Sequence, residues 1–163
     1  MRTLFTLLLT ASTSSALHCS VCPDEAESAC SYVEKTSVKA FPSSQLTFET
    51  WLWIGQGGYS AGLIEYRALN SLGQASRMFA VAVTSTAAHI TIHDQEAVVP
   101  LPSGLAKRLA IQSWSHFAVT WQATTATLQV FVNGQPSSDE SQQLSSTKNM
   151  FMQSGGSLRI GRY

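Results

Sequence analysis

From Thr36 to the end of the chain, apolar residues come in short runs rich in Val, Ile, Thr, Phe and Trp, separated by Gly, Pro, Ser and Asn. Such punctuation marks successive β-strands and predicts them at 37–41, 46–54, 61–66, 77–84, 89–93, 115–122, 127–133 and 157–161. No segment of globular-helix length carries a 3.6-residue period, so the predicted class is all-β, a sandwich or a barrel. In the second of these strands the pleat sends Leu46, Phe48, Leu52 and Ile54 to one face and Thr47, Glu49, Trp51 and Trp53 to the other, which predicts partial cover on both sides. The clearest hairpin spans 115–133. Phe117, Val119 and Trp121 share one face of its first strand, Leu128, Val130 and Val132 share one face of its second, and Asn133-Gly134 then supplies a turn tolerant of positive φ. The polar run 137–147 reads as an exposed connection. Val99-Pro100-Leu101-Pro102 reads as unpaired, because two of its four residues have no backbone N–H to donate.

The first 35 residues behave differently. Met1-Arg2-Thr3, the apolar run through Ala11 and the small residues Ser14-Ser15-Ala16 have the layout of a signal peptide, with cleavage expected after Ala16. The apolar run is too short for a bilayer span, which needs about 20 residues. Residues 17–35 form an acidic leader holding all three cysteines, Cys19, Cys22 and Cys30. In an oxidising compartment two of them are expected to pair. A Cys22–Cys30 bridge closes a more relaxed loop than Cys19-x-x-Cys22, and it leaves Cys19 for another partner. No second Cys/His pair follows at zinc-finger spacing.

Composition narrows the picture further. Ten basic residues balance ten acidic ones, so the chain as a whole projects no field toward nucleic acid or an anionic membrane. Charged residues make up 12% and hydrophobic ones 44%, which favours a packed interior over disorder. A length of 163 residues points to one domain, predicted over 36–163.

Three segments in order carry a family resemblance. They are Leu46-Thr47-Phe48-Glu49-Thr50-Trp51-Leu52-Trp53-Ile54; Trp114-Ser115-His116-Phe117-Ala118-Val119-Thr120-Trp121 running on to Asn133-Gly134; and Gly156-Ser157-Leu158-Arg159-Ile160-Gly161. Together they resemble the laminin G-like and pentraxin families of the concanavalin A-like lectin/glucanase superfold. The resemblance implies an antiparallel two-sheet jelly-roll sandwich, with Trp51, Trp53, Trp114, His116, Trp121, Asn133, Gly134 and Gly161 as its structural motif. Ala118 stands where pentraxins carry Cys, and Ala123 where they carry Ser or Thr, which places the chain nearer the broad laminin G-like class. Arg162-Tyr163 stands where the pentraxin calcium ligands would follow, and the family's closing strands are absent. The resemblance therefore implies no cofactor for residues 1–163, and calcium only with a further C-terminal segment. A missing closing strand implies an open sheet edge; that edge, or an unpaired Cys, is the expected route to any oligomer.

The polar residues show no catalytic set. A glycoside hydrolase of this superfold needs two nearby carboxylates. Glu49 and Glu65 stand alone on their strands, and Asp94-Gln95-Glu96 reads as a solvated strand end. His89 and His93, evenly spaced, are expected on one face; His116 is expected in a structural role. The four tryptophans are expected to pack, as large aromatics usually do. Tyr59, flanked by Gly57-Gly58, is the one loop aromatic singled out as a ligand contact. The chain is thus expected to be a secreted, non-enzymatic recognition module for a glycan or extracellular glycoprotein. The second reading is a structural or adhesive segment of a longer extracellular protein, and the third a glycoside hydrolase-like remnant.

Overall fold

The computed structural model describes residues 3–7, 17–21, 33–53, 60–84, 86–101, 114–138 and 141–161. Tyr59, Cys22, Cys30 and the Arg162-Tyr163 end lie outside them, and so does the side chain of Trp53. Two strands near the N-terminus, β1 (Thr3–Leu7) and β2 (Leu17–Val21), pair as an antiparallel ribbon. Cleavage after Ala16 would remove the first of them.

The body is an antiparallel two-sheet jelly-roll sandwich. One sheet has six strands, β3 (Val33–Lys35), β5 (Ser60–Leu69), β6 (Ala75–Thr84), β7 (Ala87–Ile92), β8 (Gln95–Pro100) and β13 (Ser157–Ile160), in the order β3-β13-β5-β6-β7-β8. The other is built from β4 (Gln45–Trp53), β9 (Trp114–Gln122), β10 (Thr127–Val132) and β11 (Gln135–Pro136), in the order β11-β10-β9-β4, with β12 (Gln142–Gln143) also pairing with β10. Among the described residues the helical content is a single 3-10 turn, Ser145–Thr147. No helix among them is long and apolar enough to cross a membrane.

The period-2 pattern decides what fills the space between the sheets. Leu46, Phe48 and Leu52 of β4, Phe117, Val119 and Trp121 of β9, and Leu128, Val130 and Val132 of β10 all point inward and are buried. They meet Ile64 and Tyr66 of β5, Phe79, Val81 and Val83 of β6 and Ile90 and Ile92 of β7. Phe48 meets Phe79 edge-on, with ring centroids 6.2 Å apart. Phe41 lies flat on Tyr66 at 3.7 Å, and the Tyr66 hydroxyl donates to the Gln153 carbonyl while accepting the Gly156 N–H.

Several expectations need correction. Residues 37–41 do not form a strand: Ser37 has φ 55°, which turns the chain out of extended conformation, and the strand lies upstream at β3. Val38 keeps two backbone bonds, to Gly155 and Gly156. Val99 and Pro100 do lie in a strand. Pro100 is the last residue of β8, opposite Ala87, and because β8 is an edge its missing N–H costs no ladder bond. The edge is guarded as well, since the Gln142 side-chain amide donates to the Val98 carbonyl at 3.3 Å. The run 137–147 is more than an exposed connection: it contains β12, and both Ser137 and Thr147 are buried.

Candidate functional site

The outward face of β4, β9 and β10 holds the densest set of exposed aromatic side chains among the described residues. On β4 the positions alternate with the buried Leu46, Phe48 and Leu52, so Glu49 and Trp51 face solvent. On β9 the same rule sends Trp114, His116 and Ala118 outward, and on β10 it does so for Gln129 and Phe131. The register sets Trp51 beside His116, and places Glu49, Ala118 and Phe131 in one row across three strands. Ala118 is the small residue in that row, so the face dips there between a carboxylate and a phenyl ring.

Trp51 is 48% exposed and Trp114 45%, which corrects the expectation that both pack internally; Trp121 is buried as expected. The reason is parity: Trp51 alternates with Leu52, and Trp114 and Trp121 lie an odd number of residues apart on one strand. The Trp51 and His116 rings sit 5.3 Å apart, tilted by 58°. His116 Nε2 is 3.6 Å from Glu49 Oε2. The Asn-Gly turn fixes the histidine's backbone: Asn133, at φ 52°, accepts the His116 N–H on its side-chain oxygen at 2.8 Å and donates its own N–H to the His116 carbonyl at 2.8 Å. Asn133 thus positions the strand that carries His116, a link the motif residues alone do not reveal.

Chemically, this face offers flat apolar rings beside one carboxylate and one imidazole, a combination able to stack on a sugar ring and accept its hydroxyl protons. Among the described residues of this face Glu49 is the one carboxylate. Asp94 and Glu96 are engaged elsewhere. Asp94, at φ 61° in the β7–β8 turn, accepts from the Ser76 hydroxyl and the Arg77 N–H, and Glu96 meets His89 Nδ1 at 2.8 Å. Among the described residues no group of three or more His, Cys, Asp or Glu could hold a metal ion.

His89 and His93 do not share a face. His93 is a turn residue at φ 48°, so strand alternation no longer governs it; its ring faces inward, 6.1 Å from that of Trp121. Burial pushes the His93 imidazole below its usual range, against the opposing pull of the Met150 backbone and Asp94. The unfolded chain therefore binds more protons than the folded one between the lowered value and about 6.5. His93 contributes its full stability above that window, and the contribution shrinks as pH falls through it. Thermal unfolding from neutral to mildly acidic pH is expected to show a fall in Tm that flattens in His93→Gln; equal slopes in both proteins would remove His93 as the cause.

Glu65, read from the sequence as a lone carboxylate, is 2% exposed on the outer side of the six-stranded sheet. Its Oε1 accepts from Arg67 Nε at 2.9 Å and Arg77 Nε at 2.8 Å, and Arg159 Nη1 lies 3.9 Å from Oε2.

Known proteins add an independent line. The family model described as concanavalin A-like lectin/glucanases superfamily matches residues 28–163. A heptameric SAP-like pentraxin from Limulus polyphemus superposes with a TM-score of 0.59 at 14% identity, over 79% of this chain and 56% of the pentraxin chain. The full extracellular region of zebrafish Gpr126/Adgrg6 gives 0.49 at 15% identity, over 81% of this chain and 18% of that one. The chain therefore spans little more than half the length of the pentraxin it resembles. A sequence search of curated proteins finds no match.

Proposed function

The chain belongs to the concanavalin A-like lectin/glucanases superfamily, and from that premise we propose that it is an extracellular, non-catalytic recognition module for a glycan or glycoprotein. The observation that carries this reading is the pair of half-exposed rings Trp51 and Trp114, set on either side of the half-buried His116 on the outward face of a paired sheet. Half-exposed tryptophans that a sandwich does not need for its core are what a sugar-binding surface uses. The superfamily includes glucanases, and the single carboxylate beside His116 is the local argument against hydrolysis.

Secretion belongs to the same reading, with cleavage after Ala16, a Cys22–Cys30 disulfide and no calcium taken at the pentraxin-like position. N-terminal sequencing and non-reducing peptide mapping of exported protein test the first two, and calorimetric titration with calcium tests the third. The test of function is a glycan array probed with wild type, Trp51→Ala and Tyr59→Ala. Wild type is expected to bind a defined sugar class, and Trp51→Ala to lose about tenfold or more in affinity, the scale of one aromatic contact. Flat binding by folded wild type would favour a structural or adhesive segment instead.

A further inference from the structure

Among the described residues the two sheets end on four strands, and three of those edges are guarded. β3 has three residues, and its Glu34 is held by Arg159. β11 has two residues and ends in Pro136, and β8 ends in Pro100 and is capped by the Gln142 amide. β4 is nine residues long, with no proline, no lysine and no register shift in its pairing with β9. A long, regular, unguarded edge is a template for another strand.

The backbone of that edge follows residue by residue from the ladder. The Ala123 N–H donates to the Ser44 carbonyl at 2.8 Å, and the register runs on from there without a shift. Antiparallel pairs alternate between bonded and non-bonded, so Leu46, Phe48, Thr50 and Leu52 exchange their bonds with β9. Gln45, Thr47, Glu49, Trp51 and Trp53 therefore turn their N–H and C=O groups away from the sheet. Among the described residues no strand forms a ladder with them.

The space beside β4 also has an apolar floor. Val99 of β8 lines one shallow pocket with Leu128 and Val130 of β10, and Phe48 of β4 meets Phe79 of β6, so β8 lies across from β10 and β6 across from β4. Strands β5, β13 and β3 then reach past the β4 edge. Ile64 of β5 and Ile160 of β13 are partners in register, and both are buried within the core cluster. Strand β1, with the sequence Thr3-Leu4-Phe5-Thr6-Leu7, lies beside β4 in the layer above them, while its own ladder is with β2. A largely apolar strand of this chain thus already sits at the edge.

The cleavage expected after Ala16 would take β1 away and open both the edge and its floor. A second copy cannot close it edge to edge through its own β4, because the overhanging strands of the two copies would occupy the same volume. What fits is an extended segment that belongs to no sheet of its own. We propose that the β4 edge is a strand-binding site, held by β1 in the uncleaved chain and, once β1 is gone, by an extended segment of another polypeptide with apolar side chains at alternate positions. The outward N–H and C=O groups of β4 supply main-chain bonds, and the floor at Ile64 and Ile160 selects apolar side chains on the facing side. The site uses the backbone of Trp51 and not its ring, so it stands or falls independently of sugar recognition.

The experiment starts from the full chain with a specific protease site inserted between Ala11 and Ser12, folded first and then cut. A fluorescent peptide of residues 1–9 is expected to exchange into the cut protein, read as a rise in anisotropy, and to stay out of the uncut chain, where the tethered β1 outcompetes it. The same peptide carrying Leu4→Asp and Phe5→Asp is expected to bind about tenfold more weakly or worse. Thr47→Pro removes an outward N–H without touching the β9 ladder, and is expected to lower uptake about tenfold or more. In the cut protein without that substitution, the peptide is expected to slow hydrogen exchange at Thr47, Glu49 and Trp51 and to leave Phe48 and Thr50 unchanged. No uptake by the cut protein, equal uptake of the aspartate peptide, equal uptake by Thr47→Pro, or protection without that alternation would each overturn the proposal.

Discussion

Gly156→Ala is expected to destabilise the sandwich by about 3 kcal/mol or more, or to prevent folding, because overpacking against fixed backbone is among the costliest single changes. A β-carbon at 156 would overlap the Arg67 carbonyl oxygen and stand 2.8 Å from its carbon and 2.9 Å from the Ala68 β-carbon. None of these is the end of a flexible side chain. Relief by moving the 156 backbone would break the bonds it makes, the N–H to the Tyr66 hydroxyl and the carbonyl from Val38, and would disturb the stack of Phe41 on Tyr66. Gly134 makes the contrast: its added β-carbon meets nothing within 4 Å, and only φ 77° opposes it, a cost of about 1–2 kcal/mol. Urea denaturation of both variants measures the difference. A Gly156→Ala protein within about 1 kcal/mol of wild type would mean that strand β13 does not approach β5 as closely as this.

The same glycine shows what can be read from the chain and what cannot. Gly156-Ser157-Leu158-Arg159-Ile160-Gly161 was recognisable as a family element, and its strand falls where alternation places it. Nothing local says that Gly156 is there for the approach of Arg67, nearly ninety positions away in the chain. Long-range register is the missing information throughout. Glu65, Arg67, Arg77 and Arg159 are dispersed along the sequence; a register shift between Tyr66 and Arg67 sets Arg67 opposite Arg77, and the pairing of β13 with β5 sets Arg159 opposite Glu65. Two guanidinium groups directly opposite on neighbouring strands would repel, and the buried carboxylate beside them is the counter-charge. Strand β8 is not legible in the sequence for a related reason. Pro100 argues against a strand only if both edges are paired, and edge position is a property of the sheet.

The tryptophans carry the last prediction, because there the local signal was sufficient and the general habit of aromatic residues obscured it. Trp51 has the opposite parity to Leu46, Phe48 and Leu52, so a β4 that buries those three must expose it. On β9, Trp114 and Trp121 have opposite parity and cannot both face the core. Trp121→Ala is expected to cost about 3–5 kcal/mol, since it empties a fully enclosed site between the sheets. Trp51→Ala, on the outward face, is expected to stay within about 0.5 kcal/mol of wild type while losing ligand. Chemical denaturation of the two variants, read beside the array, separates a residue kept for packing from one kept for contact. If Trp51→Ala proved as destabilising as Trp121→Ala, the outer aromatic row would be part of the scaffold, and the argument for it as a recognition surface would fall with it.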